Sequence, residues 1–411
     1  MEHIIQRQIN SYNNLKGSKS LNNTEKKYRV LQVHNYYQLP GGEDTVVANE
    51  KSLLEDYGYT VIQYTRNNNE LKKFSKLQKL QLPITTIFNP KTYKDIKKII
   101  KEEMIDIVHV HNTLNLISPA VYYATLECKI PVVQTIHNFR LLCPGATFYR
   151  EGKICEDCIK YGLKCAIKYG CYRGSKIQTL VCVINTWIHR RLNVYGKLNY
   201  ICLTEFNKKK LLEMRQIKEK SVFVKPNFVE RIENVVPCES RPNQYIFAGR
   251  LDKLKGIDTL LETWRLMGTE APKLIICGIG PLEDWCKEFI EKNNLWSVTM
   301  MGYMPNDKVK ELISNSQALI LPTQWYEGFP MTIVEAYSVG TPVIGSDIGN
   351  TGNLIDEGVS GIKFKHDSPQ DLKHVIDNFK KYRFRVFDTY ESKYSKELNI
   401  QALKSIYDEL I

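Results

Sequence analysis

Residues 326–347 read YEGFPMTIVEAYSVGTPVIGSD. A loop with Gly328 and Pro330 leads into an apolar run. Pro342-Val343-Ile344 then reads as the opening of a strand, where proline is tolerated. The run predicts a helix of about ten residues starting near Pro330, because proline is favoured at a first helical position. Glu327 then lies in the loop and Glu335 in the early turns of the helix. The amides of Gly328, Phe329, Met331 and Thr332 would point outward at the helix N-terminus, where the dipole favours a phosphate. Two carboxylates flanking an anion site suit a ligand with hydroxyls on both sides of a phosphate, and a nucleotide sugar is such a ligand. The plainer alternative is a first-turn acid plus an unrelated surface glutamate.

Outward from this stretch, strand and helix alternate, which implies α/β layers with parallel sheets. In the first half, strands are expected at Arg29–Val33, Thr60–Tyr64, Ile105–Val110, Val132–Ile136, Tyr200–Leu203 and Val222–Val224, with helices such as Asp44–Asp56 and Ser118–Cys128 between them. In the second half, strands are expected at Tyr245–Phe247, Lys273–Cys277, Val298–Met301, Ala318–Leu321 and Pro342–Ile344. Helices should start near Gly256, Leu282, Asn306, Pro330 and Pro369. The boundary falls at Arg231–Gln244, which holds Pro237 and Pro242. A chain of 411 residues is long enough for two such domains. They are expected at 28–230 and 231–385, after a flexible polar extension at 1–27. The last segment, 386–411, has an amphipathic end (Leu398, Ile400, Leu403, Ile406, Tyr407, Leu410) suited to cross back onto the first domain.

In open α/β sheets, ligands bind beyond the carboxyl ends of the strands, so two such domains place a site in the cleft between them. The notable loops all follow expected strands: Gly41-Gly42-Glu43, His111-Asn112, His137-Asn138-Phe139-Arg140, Gly249-Arg250-Leu251-Asp252-Lys253-Leu254-Lys255 and Gly278-Ile279-Gly280. Each alone has an ordinary structural explanation. Together they bring two fixed cations, glycine loops and two carboxylates to one cleft.

The stretches FAGRLDKLKG (247–256), CGIGP (277–281), MGYMP (301–305) and WYEGFPMTIVEAYSVGTPVIGSDIGN (325–350) resemble the retaining glycosyltransferases of family 4. Those enzymes have the GT-B fold, two Rossmann-like doubly wound parallel-sheet domains facing a cleft. VHNYYQLPGGEDTVV (33–47), DIVHVHNTLNLISPAVYYA (106–124) and TIHNFRLLCPGATFYREGKICEDC (135–158) resemble a bacterial branch that builds capsule, O-antigen or other envelope polysaccharides. The resemblance implies that Arg250 and Lys255 grip the diphosphate of a nucleotide-diphosphate sugar. Glu327 would bind hydroxyls of the transferred sugar and Glu335 those of the ribose. Gly328, Phe329, Pro330 and Met331 would shape the phosphate loop. Gly249, Gly278 and Gly280 would lie near the nucleotide, and Tyr303 and Met304 near the base. Gly42 would let the first-domain backbone approach the diphosphate, and His137 would sit near the reacting carbon. Asn227 matches a family Pro-Asn turn, but Phe228 stands where the family has glycine, which puts the hinge turn in question. No carboxylate pair for a divalent metal accompanies these motifs, so Arg250 and Lys255 would take a metal's role and no cofactor would be required for catalysis. The implied acceptor is a lipid-linked glycan.

One part is not generic. Cys155 and Cys158 are followed by Cys165 and Cys171, and C-x2-C-x6-C-x5-C is compatible with a four-thiolate structural zinc site. Reduced thiols packed in a loop are the alternative, and Cys143 could replace one member. This insert (143–198) has no Asp or Glu from Cys158 to Thr204, while Lys176, Arg190 and Arg191 flank apolar residues including Trp187. A basic, aromatic-bearing helix suits an anionic membrane surface. A helix packed on its own domain with a solvated basic face is the alternative.

The net charge is +12, with 36 basic against 19 acidic residues over 1–225 and 21 against 26 over 226–411. Only the first half is therefore suited to an anionic partner. Nucleic acid is disfavoured because no recognition motif accompanies the charge. The chain has no apolar run of membrane-spanning length and no apolar signal-peptide core. Its eleven cysteines then suit a reducing compartment. The expected location is cytoplasmic, peripheral at the inner face of the membrane. Another GT-B enzyme, such as a nucleotide-sugar epimerase or a phosphorylase, is the alternative function.

Overall fold

The computed structural model describes residues 27–38, 41–233 and 235–411. The extension expected over 1–27 lies, up to residue 26, outside the described residues, as do Leu39 and Pro40 ahead of the Gly41 turn.

Two six-stranded sheets form the frame, and every strand pair within them is parallel. The first contains β1 (Arg29–Tyr36), β2 (Thr60–Asn67), β3 (Ile107–Asn112), β4 (Val132–Ile136), β5 (Asn199–Cys202) and β6 (Val222–Val224). The second contains β7 (Gln244–Ala248), β8 (Lys273–Cys277), β9 (Val298–Gly302), β10 (Ala318–Leu321), β11 (Val343–Ser346) and β12 (Gly361–Phe364). The strands read as continuous apolar runs because both faces of each sheet are covered; β3, β7, β10 and β11 are buried at every residue. The first sheet has the order β2-β1-β3-β4-β5-β6 and the second β9-β8-β7-β10-β11-β12. The order therefore reverses between β1 and β3 in one sheet and between β7 and β10 in the other. Loops leaving strands at such a switch point are where α/β sheets bind ligands.

Two elements depart from the sequence expectation. His111 and Asn112, expected in a loop after the strand, are the last two residues of β3. Their buried side chains find polar partners, so the ladder continues through them. Strand β12 was not anticipated. It is four residues long and opens on Gly361, which reads as a turn residue. In the fold, Gly361 is pressed against β11, and a Cβ there would lie 2.0 Å from the Val343 carbonyl oxygen.

The helices that matter below are α1 (Gly42–Asp56), α2 (Lys76–Ile87), α3 (Lys176–Arg191), α4 (Met331–Ser338) and α5 (Lys396–Leu410). Gly41 caps α1, and the Asp44 carboxylate reaches back to the Gly41 amide at 3.0 Å. Ser175 caps α3 and Ser395 caps α5. The helix expected to start near Pro330 is α4, one residue later and eight residues long. Pro330 stays extended ahead of it, and Gly340, at φ +63°, follows its end. Helix α5 lays Ile400, Leu403, Ile406 and Tyr407 against Val30, Ile107, Val133 and Ile201 of the first sheet. Phe228 is buried in the same cluster, so the side chain standing where the family has glycine fills the space beneath α5.

Candidate active site in the interdomain cleft

On the second-domain side, the loop after β7 and the loop after β10 meet. Lys255 Nζ lies 2.6 Å from Glu327 Oε1, and the Thr323 hydroxyl donates to the same oxygen at 3.1 Å. Glu327 is nearly buried. Gly256 ends the first loop at φ +67°, where a Cβ would fall 1.8 Å from the Pro322 carbonyl oxygen. Only glycine lets the two loops close to this distance. Arg250, by contrast, is 64% exposed and pairs with Asp252 at 3.4 Å, so it stands at the rim rather than beside Lys255. Glu335 is buried on α4, accepts a hydrogen bond from Asn306 at 3.1 Å, and has its carboxyl pushed up by burial. Gly278 and Gly280 lie against the backbone of Gly249 and Leu251. Tyr303 is exposed, while Met304 packs partly into the core.

The loop holding Gly328 closes onto the first domain. A Cβ on Gly328 would fall 2.0 Å from the His137 carbonyl oxygen, and one on Gly42 would lie 3.5 Å from Met331 Cγ. Three polar side chains clamp this contact. Asn350 Nδ2 donates to the carbonyls of Glu327 and Gly328, both at 2.7 Å. Asn207 Nδ2 donates to the Gly328 carbonyl at 2.8 Å, and the Thr204 hydroxyl donates to Asn350 Oδ1 at 2.5 Å. None of the three was singled out from the sequence; the only cue was that Asn350 closes the quoted motif.

Behind His137 runs a buried polar chain. His137 Nε2 lies 3.0 Å from His111 Nδ1. His111 Nε2 and His109 Nδ1 each lie 3.1 Å from Glu50 Oε1, out of line for a hydrogen bond to it. His109 also contacts Thr135 and the Tyr407 hydroxyl of α5, both at 2.7 Å. Burial, reinforced by the neighbouring His109, lowers His111 to about 4; burial and the neighbouring imidazoles hold His137 well below its ordinary value. Both rings are therefore neutral near pH 7. Burial works against the Glu50 carboxylate, but His109, His111 and Lys225 outweigh it and hold its acid well below the usual range. Glu50, His109 and His111 are the one group among the described residues whose metal-ligating atoms converge within 4.8 Å. The Lys225 ammonium, 3.4 Å from Glu50 Oε2, already supplies the positive charge a cation would bring. The set therefore reads as a compensated buried network.

The insert packs beside the same cleft. Its Phe148 meets Tyr326 of the second domain, and Lys210 pairs with Glu156 at 2.6 Å. On α3, Lys176, Trp187 and Arg191 are exposed. Arg190 does not share that face: its guanidinium turns inward and donates to the Leu141 carbonyl, and burial lowers its pKa. One residue of helix rotates a side chain by about 100°, which separates it from Arg191. Cys158, Cys165 and Cys171 fall in one small cluster with Leu163, Ala166 and Val183. Cys143 and Cys155 are near enough to register electrostatically on Cys171. As placed, the sulfurs of Cys155, Cys158, Cys165 and Cys171 do not converge within 4.8 Å of one another. Burial, with Cys143 and Cys171 nearby, pushes the Cys158 thiol up to about 12.

Two parallel-sheet α/β domains facing each other across a cleft are the GT-B fold, and with the matches that follow the chain is a GT-B glycosyltransferase. Residues 40–231 match the family described as Glycosyltransferase Family 4, and residues 228–394 the family described as Glycosyl transferases group 1. The chain is 25% identical over 396 residues to the protein named uncharacterized glycosyltransferase MJ1178 of Methanocaldococcus jannaschii, covering 93% of this chain and 98% of that one. Among solved structures, the apo form of the lipopolysaccharide outer core galactosyltransferase WaaB superposes with a TM-score of 0.65 at 16% identity, over 93% of this chain and 100% of that one. The Anabaena protein HepE in complex with UDP superposes with a TM-score of 0.63 at 15% identity, over 92% and 100%. Among the described residues, no helix is long and apolar enough to cross a membrane.

Proposed function

We propose that the protein moves a sugar, with retention at C1, from a nucleoside-diphosphate sugar to a hydroxyl of a lipid-linked glycan intermediate in capsule, O-antigen or exopolysaccharide synthesis. The carrying observation is the convergence at the cleft of the Lys255–Glu327 pair with the Gly328–His137 contact. Lys255 and Arg250 would hold the diphosphate, Arg250 by swinging in from Asp252. Glu327 would take hydroxyls of the sugar, and Glu335, oriented by Asn306, those of the ribose. As the C1–O bond to the diphosphate breaks, negative charge grows on the leaving oxygen. Once Lys255 and Arg250 have engaged the diphosphate, they and the first-turn amides of α4 stabilise that charge, in place of a divalent metal. The acceptor oxygen bonds C1 on the same face, and its proton passes to a leaving phosphate oxygen. WaaB and HepE, named for a lipopolysaccharide galactosyl transfer and a UDP complex, support the product and substrate classes. The test is incubation of the full chain with a panel of nucleotide sugars and membrane extract. Products are identified by mass spectrometry and their anomeric configuration by NMR. An inverted product, or no transfer from any sugar nucleotide, sinks the proposal.

The same proposal places the enzyme peripherally on the inner face of the membrane. Leu77, Leu80 and Ile84 on α2, and Ile177 and Trp187 on α3, support it: all are more than half exposed, with Lys76, Lys79, Lys176 and Arg191 around them. A structural zinc on Cys155, Cys158, Cys165 and Cys171, with Cys143 as an alternative member, is also proposed. It requires the sulfurs to turn inward, and metal analysis of the purified chain should find about one zinc per molecule.

A further inference from the structure

Beyond His137, on the side away from the second domain, lies a cavity of about 60 Å³ between the ends of β3 and β4 and helix α3. All of its lining residues fall between His111 and Tyr195, so no second-domain residue reaches it. Since about 10–15 Å³ holds one water, it has room for a few non-hydrogen atoms. A carboxylate or phosphate group fits; a whole sugar ring does not.

Most of its polar walls are committed within the protein. The Asn112 carboxamide donates to the Asn35 carbonyl and accepts from the Leu114 amide. Gln134 accepts from Tyr122, and Asn138 from the Arg140 amide. Two groups keep hydrogen-bonding capacity. Asn185 Oδ1, on the inward face of α3, is buried with no hydrogen-bond partner. Arg140 donates to the Pro144 carbonyl at 3.3 Å, lies over the Tyr172 ring and interacts with the Tyr37 hydroxyl, but forms no ion pair among the described residues. A guanidinium offers five N–H groups. Glu43 is a weakened counter-charge for Arg140, because burial and Asp44 push its acid up against the pull of Arg140.

We propose that this cavity is the subsite for an anionic group of the acceptor, with Arg140 as its charge partner and Asn185 Oδ1 accepting a hydrogen bond from a hydroxyl beside that group. This rests on the transferase function proposed above and deepens it: the acceptor carries an oxyanion close to the hydroxyl that is glycosylated. Helix α3 is then the specificity wall, one face lining the cavity through Cys182, Asn185 and Thr186 and the other exposed through Ile177, Leu180 and Trp187.

The oxyanion could come from a uronic acid or from a phosphate, and the test separates these. The full chain is titrated calorimetrically, in the presence of UDP and of GDP, with methyl glucuronide, glucose 6-phosphate and methyl glucoside. At least one charged probe should bind tenfold or more tightly than the neutral glucoside, and the stronger of the two names the source. Arg140→Gln should abolish that preference while leaving nucleotide affinity intact; Arg140→Lys should keep part of it. If Arg140→Gln does not fold, Asn185→Leu, which fills the cavity, should abolish the preference instead. Charged and neutral probes binding alike, no probe binding, or a preference that survives these changes overturns the proposal. Loss of nucleotide binding in Arg140→Gln overturns it too, since Arg140 would then serve the sugar nucleotide. Failure of the transferase function itself looks different: no nucleotide binds even the unaltered chain.

Discussion

Lys255 and Glu327 form an ion pair at 2.6 Å across two loops of the second domain, although 72 positions separate them in the chain. The cation proposed for the diphosphate is thus held by the carboxylate proposed for the sugar. Binding must exchange this pair for two contacts with one ligand. Glu327→Gln should therefore lower transfer by about 100-fold or more, the scale of losing one group aimed at the transition state. Binding of free nucleoside diphosphate should hold or tighten, because Lys255 is released. Unchanged turnover in Glu327→Gln would refute the assignment of Glu327 to the sugar.

Lys255→Ala acts oppositely. It removes the cation and leaves a nearly buried carboxylate beside the phosphate site. Nucleotide affinity should fall more than in Arg250→Ala, because Arg250 is exposed and its pairing with Asp252 is screened. Transfer by the unaltered chain should persist in EDTA. Loss of transfer in EDTA that Mg²⁺ restores, and Zn²⁺ does not, would show that the two cations do not replace a metal.

The clamp between domains yields a separate prediction. Asn350→Ala removes donors from the Glu327 and Gly328 carbonyls and strips Thr204 of its acceptor. Leaving buried polar groups unpaired costs about 1–3 kcal/mol each. Denaturant unfolding should show a loss of that order, and turnover should fall with it because Gly328 is no longer pinned against His137. Thr204→Ser, which keeps the hydroxyl, should restore both relative to Thr204→Ala. Wild-type turnover in Asn350→Ala would disconnect the clamp from catalysis.

What the sequence made legible and what it did not divide along a physical line. Lys255, Glu327, Glu335 and the glycines stood out because a tight loop, a helix start and a fixed charge need particular residue types at particular spacing. The clamp did not stand out, because Thr204 and Asn350 are 146 positions apart and are joined only by the closure of two domains. Arg190 and Arg191 looked equivalent as a basic pair; only the packing of α3 sends one inward to Leu141. Glu50 did not stand out within the expected Asp44–Asp56 helix, since nothing local reveals that β3 presents two histidines and the domain junction a lysine to it. Phe228, flagged as a break in a turn, makes sense only once α5 covers it.

The buried imidazoles set a pH dependence. His111 titrates at about 4 and His137 also below its ordinary value, against 6.5 for an unperturbed ring. Between these values the unfolded chain binds protons that the native chain refuses. Stability should therefore fall as pH drops from 6.5 toward 4, by up to about 1.4 kcal/mol per pH unit for each ring. Glu43 works in the other direction: its acid rises from 4.5 to about 8, so stability is lost as pH climbs through that interval. Chemical denaturation across this range should show a smaller loss of stability from pH 6.5 to 4 in His111→Asn, and a smaller loss from pH 4.5 to 8 in Glu43→Gln, each relative to the unaltered chain. Parallel slopes in variant and wild type would mean these groups titrate normally.

The last prediction concerns the face turned from the cleft. Leu77, Leu80 and Ile84 are 63%, 76% and 70% exposed, and their spacing sets them on one side of α2. Helix α2 is tied to α3 where the His189 ring contacts the Ile87 carbonyl at 3.0 Å. An apolar ridge beside basic residues binds anionic bilayers by insertion plus charge, and each buried leucine contributes about 1.5–3 kcal/mol. Changing Leu77, Leu80 and Ile84 together to Gln should lower binding to anionic vesicles by tenfold or more at both low and high salt. Lys176→Gln with Arg191→Gln should weaken it mainly at low salt, since charges are screened beyond about 10 Å at 0.1 M. Arg190 is left out because it holds the Leu141 carbonyl. Neither variant should shift stability or nucleotide affinity, as exposed surface side chains are usually worth within about 0.5 kcal/mol. Should both variants sediment with anionic vesicles as the wild type does, the ridge is not a membrane anchor. Should they instead lose a copurifying protein, it docks a partner.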